Sequence, residues 1–211
     1  MDKRFLLILG LIVVGFIGLL FFTGKDDSSA GGTPSENVRG KLDSKVELTA
    51  YKDFECGPCA SYHPLEEQVY EKYKDSVKFR FRHYPIESSH PNTRAAHRAA
   101  EAAGKQGKFF EMANILFINQ QQWYTQATNS PIAIFEVYAK DLGLNIDQFK
   151  SDFASEAVNS TISADKDLGT QAGVKGTPSY YINDVFVENQ ELTSVDDFSK
   201  KLDEALANSS Q

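Results

Sequence analysis

The chain has 211 residues, with 29 acidic residues against 22 lysines and arginines, and a formal net charge of −7 at pH 7. This acidic balance argues against nucleic acid as a partner, because nucleic-acid-binding surfaces carry an excess of positive charge. Only two cysteines are present, Cys56 and Cys59, so a disulfide that joins distant segments of the chain is excluded.

A long apolar segment opens the chain. Residues 5–22 carry no charge, and as a helix these eighteen residues would span about 27 Å, close to the hydrocarbon thickness of a bilayer. Basic residues precede the segment and acidic residues follow it, which keeps the short N-terminus in the cytoplasm. A cleaved signal peptide is the alternative, because residues 28–30 resemble a cleavage site, but the apolar core of a signal peptide is ordinarily about 7–15 residues long. We therefore predict a cytoplasmic stub and a transmembrane signal-anchor over residues 1–24, with the remainder exported.

The next segment is polar, and the first regular pattern follows it. Residues 25–40 are rich in Gly, Ser, Asp and Pro, which predicts a flexible linker, and residues 41–211 have the size of one domain. Residues 46–54 combine β-branched and aromatic residues, typical of a strand, and residues 77–84 alternate apolar and basic residues, also typical of a strand. Between them, apolar positions recur at helical spacing from Cys56 onward. Strand, helix and strand at these lengths predict a parallel, right-handed βαβ unit.

The second half of the chain is mostly helical. Helices are predicted near residues 93–103, 109–119 and 131–142, and from 147 to about 173. Residues 179–187 predict a hairpin that turns at Asn183 and Asp184, and Ser194 with Asp197 predicts the start of a helix that ends near Ala207.

The cysteine pair lies where the first strand meets the first helix, in the stretch FECGPCASYHP (54–64). A bridge between Cys56 and Cys59 closes a minimal loop and can add little stability, so we interpret the pair as chemical. Cys56 at the helix N-terminus gains from the free N–H groups and the macrodipole, which favour its thiolate, the nucleophilic form. Cys59 lies one turn later on the same face and suits the resolving role. Gly57 permits close approach of another backbone, and Pro58 fits the first helical turn.

Strand, C-G-P-C, helix and strand together resemble the thioredoxin fold. Thr177 and Pro178, after Gly176, resemble the cis-proline loop that packs against the cysteine pair and docks substrate in that family, and Pro64 matches the proline of its active-site helix. The helical block at about 92–173 is similar to the insertion of the DsbA-like branch. The resemblance implies an α/β thioredoxin fold with a DsbA-like helical insertion, preceded by one transmembrane helix.

Two positions depart from the DsbA-like pattern. Gly-Pro between the cysteines resembles reducing thioredoxins, whereas DsbA-type oxidases often carry Pro-His. Many relatives place a buried acid six residues before the first cysteine, where this chain has Ala50. Asp53 and Glu55 are close to the motif and are expected to face solvent, and Lys175 lies beside the cis-proline loop.

A metal site is not expected. Zinc requires about four ligands, and only Cys56, Cys59 and His63 are predicted to share a face. His63 is a candidate for tuning the thiols electrostatically, with a partly exposed helix position as the alternative.

The remaining histidines, His83, His90 and His97, show no catalytic spacing and are predicted to be surface or structural groups. Trp123 is predicted to pack within the helical insertion rather than to form a platform for peptides.

Three functions follow from the resemblance. The first is a membrane-anchored, extracytoplasmic thiol–disulfide oxidoreductase, with no cofactor beyond its own Cys56–Cys59 disulfide. It would oxidise exported proteins and be re-oxidised by a membrane partner resembling DsbB or a vitamin K epoxide reductase homologue. The second is a reductase or isomerase of the same fold, and the third is an anchored binding module without activity. The helical insertion favours the first.

Overall fold

The structure, a computed structural model, describes residues 32–125 and 127–209. In this part of the chain the strands are β1 (Val38–Gly40), β2 (Glu47–Lys52), β3 (Lys78–His83), β4 (Ser179–Ile182) and β5 (Val185–Val187). The helices are α1 (Gly57–Tyr73), α2 (Thr93–Gly104), α3 (Phe109–Ile118), α4 (Gln120–Trp123), α5 (Ile132–Asp141), α6 (Ile146–Ala154), α7 (Glu156–Gln171) and α8 (Val195–Ser209).

A mixed sheet carries the site. Its strand order is β1-β3-β2-β4-β5, in which β2 and β3 are parallel and the other neighbours are antiparallel. Helix α1 crosses between the parallel strands, which confirms the predicted βαβ unit. The hairpin is confirmed as well, because Asn183 and Asp184 adopt φ values of 48° and 64°, the left-handed conformation that a two-residue turn requires.

Two large apolar cores pack against the sheet, beside a smaller cluster of Tyr51, Val174 and Tyr181. One lies beneath the helical insertion and contains both cysteines together with the aromatic side chains of Phe54, Phe81 and Trp123. The other lies between the sheet, α1 and α8 and is built around Tyr180 and Phe198. Because the cysteines belong to the first core, the helical insertion forms one wall of their surroundings.

The N-terminal edge of the domain corrects the predicted linker. Residues 38–40 form β1, which pairs with β3, and the N–H and hydroxyl of Ser35 donate to the buried carboxylate of Asp165 at 3.0 and 2.5 Å. Asn37 donates to Glu101 at 2.5 Å. Residues 32–40 therefore belong to the folded domain, and the prediction of a flexible linker is wrong for them.

The predicted anchor over residues 1–24, and residues 25–31 of the linker, lie outside the described residues. Within residues 32–125 and 127–209, no helix combines the length and the apolar character needed to cross a bilayer.

Candidate active site

Cys56 stands at the start of α1, as predicted. It is the N-cap, with φ −69° and ψ 121°, and α1 begins at Gly57 with Pro58 in its first turn. The Cys56 N–H donates to the Asp53 carbonyl at 3.2 Å, which closes a turn between the end of β2 and the helix. A Cβ placed on Gly57 would meet no atom within 4 Å, so the space beside the motif is open to a partner.

The two thiols differ in burial and in acidity. Both are free, Cys56 with 5% of its surface exposed and Cys59 with none. A hydrogen bond from the Cys59 side chain, opposed by burial and assisted by Thr177 and the Cys59 backbone N–H, lowers the pKa of Cys56 to about 6. Burial, together with the hydrogen bond and charge of Cys56, raises the pKa of Cys59 well above its usual value. The pair therefore provides one ready thiolate and one protonated thiol.

The loop before β4 contacts Cys56. The Thr177–Pro178 peptide bond is cis, as predicted, and the thiol of Cys56 donates to the Thr177 carbonyl at 3.2 Å. The Thr177 hydroxyl is buried and has no hydrogen-bond partner, so it is available to donate to a thiolate at Cys56. Two segments that are 121 residues apart in sequence thus meet at one sulfur atom.

A charged pair lies beneath the cysteines. Lys52 at the end of β2 pairs with Glu66 on α1, and their side chains are only 4% and 13% exposed. The Lys52 ammonium lies 4.2 Å from the ring centroid of Phe117, and the Tyr180 hydroxyl donates to Glu66 at 2.5 Å. Burial opposes ionisation of Glu66, but the Lys52 charge and the hydrogen bonds lower its pKa to about 2. Ala50 and Glu66 line the same cavity of about 60 Å³. The acid in this region therefore comes from α1, and not from the β2 position that Ala50 occupies.

Asp53 is buried, so the expectation that it faces solvent is wrong. Its exposed fraction is 0%. One carboxylate oxygen accepts from the Glu55 N–H at 2.8 Å and from the Thr93 hydroxyl, and the other accepts from the Ile86 N–H at 2.7 Å and from His90 Nδ1 at 2.8 Å. These bonds fasten the turn before Cys56 to the β3–α2 connection.

Glu55 is buried as well, with 7% of its surface exposed, which corrects the second expectation of solvent exposure. It accepts from the N–H of Thr125 at 2.6 Å, from the Thr125 hydroxyl, and from the N–H of Asn92 at 2.8 Å. Backbone donors of the helical insertion therefore hold the residue immediately before Cys56. No pattern in the sequence around Glu55 predicts these hydrogen-bond partners.

Hydrogen bonds of three histidines join the βαβ unit to the helical insertion. His63 is buried, and its Nε2 is 2.8 Å from Asn114 Oδ1, so its hydrogen bond goes to the insertion; its tuning of the thiols stays a prediction. His83 is a structural group, as predicted, with Nδ1 2.5 Å from His97 Nδ1 and Nε2 2.6 Å from Glu101. His97 is fully buried, as a structural group, although its Nε2 has no partner.

The remaining aromatic and metal predictions concern the same region. Trp123 is fully buried and donates from Nε1 to the Leu116 carbonyl at 2.9 Å, which confirms that it packs within the insertion. Across the described ranges, no group of three or more His, Cys, Asp and Glu side chains is placed to hold a metal ion.

The family model described as thioredoxin matches residues 32–204 of this chain. The chain belongs to the thioredoxin family. The match includes the C-G-P-C motif and the cis-proline loop.

Solved structures of DsbA-like proteins share the thioredoxin fold of this chain together with its helical insertion. BdbD from Bacillus subtilis, in its oxidised form, superposes with a TM-score of 0.69 at 23% identity, over 84% of this chain and 97% of that one. Alpha-DsbA1 from Wolbachia pipientis gives a TM-score of 0.70 at 19% identity, over 84% and 94%. MdbA from Actinomyces oris, a thiol-disulfide oxidoreductase, gives 0.65 at 15% identity, over 82% and 92%. At these identities the likeness establishes the fold.

Curated relatives by sequence are longer proteins. The Na(+)/H(+) antiporter NhaA 3 of Salinispora tropica is 32% identical over 148 residues, which are 70% of this chain and 22% of that protein. The Na(+)/H(+) antiporter NhaA 1 of Mycolicibacterium vanbaalenii is 32% identical over 154 residues, 71% of this chain and 24% of that protein. This thioredoxin-family chain thus spans about a quarter of the length of these relatives.

Three contributors to this thioredoxin-type site were not predicted from the sequence. Lys52 lines the same cavity as Leu48 and Ala50, two and four residues earlier in β2. Glu66 lies seven residues after Cys59, two turns along the same face of α1, so helical spacing was a usable signal for Glu66. Gln120 donates from Nε2 to the carbonyls of Phe54 and Cys56, at 2.8 and 3.1 Å, and no local pattern marks that contact.

Proposed function

We propose that this chain is an extracytoplasmic thiol–disulfide oxidoreductase that oxidises cysteine pairs in exported proteins through Cys56 and Cys59. The observation that carries the proposal is the difference in acidity between the two cysteines. Cys56 ionises with a pKa of about 6 at a helix N-terminus, and Cys59 stays protonated and buried one turn away. A pair of this kind can exchange disulfides through a mixed disulfide. A binding module without activity does not need two cysteines of different acidity.

The reaction balances within the two cysteine pairs. A substrate thiolate attacks Cys56 Sγ of the Cys56–Cys59 disulfide, a bond forms between substrate and Cys56, and Cys59 leaves as a thiolate that takes up a proton. The second substrate thiolate then attacks the substrate sulfur of the mixed disulfide, and Cys56 leaves as a thiolate. Counted from its dithiol, the substrate loses two electrons and two protons and gains a disulfide. The reduced enzyme keeps one proton on Cys59 and a thiolate at Cys56, and the second proton goes to solvent.

The acidity of Cys56 favours the oxidising direction. Stabilising the thiolate stabilises the reduced enzyme, and each unit by which the pKa falls is worth about 1.4 kcal/mol, which for two electrons is about 30 mV. The Gly57-Pro58 dipeptide favours the alternative, a reductase or isomerase, because it lacks the histidine that assists the thiolate in many oxidases. We give the lowered pKa more weight, since it includes the contacts of the folded site.

A groove beside the cis-proline loop offers a place for the substrate. Thr177 and Pro178 line it together with Lys175 and Phe186, and its volume is about 680 Å³. Phe186 lies on the edge strand β5 and is 47% exposed. An extended peptide can add to such an edge and bring its cysteine to Cys56, the mode of recognition that we propose.

The direction of electron flow is testable with the purified domain. We expect a reduction potential for the cysteine pair of roughly −120 to −220 mV, and oxidation of a reduced, unfolded model protein to its disulfide-bonded form. A potential near about −270 mV, together with a Cys56 that titrates near 7, would assign the chain as a reductase. Failure of the pair to exchange with glutathione at all would leave the binding module.

The topology is a second expectation. We propose a single-pass anchor over residues 1–24 in the cell membrane, with the domain on the periplasmic or cell-surface side. There, a membrane partner resembling DsbB or a vitamin K epoxide reductase homologue would take up the two electrons.

The anchor is testable by fractionation. The full-length protein should fractionate with membranes, and protease added from outside should release a soluble, active fragment. Because residues 32–40 are folded, the cut should fall before Gly32. A mature protein that starts near Gly31 in the soluble fraction would instead identify a cleaved signal peptide.

A further inference from the structure

An ion-pairing histidine lies next to the turn that carries Cys56. His90 belongs to the connection between β3 and α2, and its N–H donates to the Ile86 carbonyl at 3.0 Å. Its Nδ1 is 2.8 Å from Asp53 Oδ2, and its side chain is 24% exposed. Asp53 is fully buried, and its own carbonyl accepts the Cys56 N–H at 3.2 Å. His90 thus contacts, from the solvent side, the carboxylate on which the Cys56 turn is built.

The charges around this contact are coupled. The negative charge of Asp53 opposes ionisation of Cys56 and raises the pKa of that thiol. The hydrogen bond with Asp53, opposed by burial, raises the pKa of His90, and the charges of Asp53, Cys56 and Glu55 act in the same direction. The imidazolium form of His90 therefore lies beside the carboxylate whose charge opposes the thiolate of Cys56.

Other charged groups near His90 are already paired. Glu55 accepts from Thr125 and Asn92, which hold it in the insertion. In the connection itself, Glu87 is bonded to Arg94 of α2 at 2.6 Å and to Lys166 of α7 at 2.9 Å. Asp53 is therefore the carboxylate that pairs with His90, and titration of His90 changes the charge next to it.

We propose that His90 is a positioning residue for the exchange reaction: its imidazolium form neutralises Asp53 and thereby supports the thiolate of Cys56, and loss of its proton withdraws that support. This rests on the proposed function, because it assigns a control of the same cysteine pair. The Gly-Pro motif carries no histidine of its own, and His90 reaches the site from another element of the fold. The consequence is an exchange site whose oxidising strength falls as the pH rises through the titration of His90.

The variant that tests the charge is His90→Asn, because the asparagine amide can still donate to Asp53 but never carries a proton charge. We expect the midpoint for alkylation of Cys56 by iodoacetamide to rise in this variant. We also expect its equilibrium constant for oxidising glutathione to fall several-fold below the His90 titration and to approach the wild-type value above it. A tenfold fall corresponds to about 30 mV. If the alkylation and glutathione measurements give the same pH dependence for both proteins, or differ by an amount that does not change with pH, the proposal is overturned. His90 would then only hold the β3–α2 connection in place.

A measurement without any substitution provides the second arm. Coupling between two sites is reciprocal, so the charge of Cys56 must act on His90 as His90 acts on Cys56. The disulfide carries no charge. The NMR titration midpoint of the His90 ring should therefore be higher in the reduced protein than in the oxidised protein, and an unchanged midpoint would overturn the proposal. If the wild-type pair does not exchange with glutathione, the proposed function fails, while the alkylation curves and the ring titration still decide the role of His90.

Discussion

Cys59→Ser is expected to accumulate mixed disulfides between Cys56 and its substrates, whereas Cys56→Ser is expected to accumulate none. Cys56 has 5% of its surface exposed, a pKa lowered to about 6, and open space beside Gly57. Such a thiol is mostly ionised at pH 7. Cys59 has no exposed surface, and burial first of all raises its pKa well above the usual value. Only the first thiol can therefore meet a substrate sulfur.

The choice of serine matters for this experiment. The hydrogen bond from the Cys59 side chain is the largest cause of the low pKa of Cys56. A serine hydroxyl keeps a donor at that position, so the trapped intermediate should still form, whereas Cys59→Ala should raise the pKa of Cys56 and trap more slowly. Non-reducing electrophoresis and intact mass after incubation with glutathione disulfide would measure the adducts. Equal trapping by the Cys56→Ser and Cys59→Ser proteins would contradict the assignment of nucleophile and resolver.

The predictable parts of the site are those that depend on patterns among residues close together in sequence. The period of two in residues 77–84 and the helical spacing after Cys56 fix β3 and α1, and together they place Cys56 at the helix N-terminus. The cis bond before Pro178 followed from a resemblance to the thioredoxin family, not from spacing. Each of these predictions needed information from a few neighbouring residues or from one known motif.

The parts that were not predictable depend on contacts between segments far apart in sequence. Residues 32–40 read as a linker because their composition is polar, yet Ser35 finds its partner 130 residues later, at Asp165. Asp53 and Glu55 have the side chains of surface residues, and they are buried because backbone N–H groups of Ile86, Asn92 and Thr125 need acceptors there. A single sequence does not state which distant donor lacks an acceptor.

Lys52→Met is expected to lower the free energy of unfolding by about 3–5 kcal/mol at pH 7, because it leaves the largely buried carboxylate of Glu66 without its cation. The Tyr180 hydroxyl donates only a neutral hydrogen bond, and His63 Nδ1 is 3.9 Å from Glu66, farther than Lys52, so neither replaces the charge that Lys52 supplies. Chemical denaturation of the reduced domain would measure the loss. The exposed pair of Lys74 and Glu71 provides a matched control, since its side chains are 43% and 64% exposed and Lys74→Met should change stability little. A comparable loss in both variants would contradict the special role of the buried pair.

The pH dependence gives this prediction a sign. In the wild type the pKa of Glu66 falls from 4.5 to about 2, so its contribution is present above pH 4.5 and is lost as the pH falls towards 2. That contribution is about 3 kcal/mol. In Lys52→Met, burial dominates and raises the pKa of Glu66, so the stability of the variant should fall as the pH rises from 4.5 towards that raised pKa and stay low above it. Adding Glu66→Gln removes the charge and keeps an acceptor for Tyr180, which should recover most of the loss and abolish the dependence. A double variant as unstable as the single one would show that Lys52 stabilises the domain by packing over Phe117 and not by its charge.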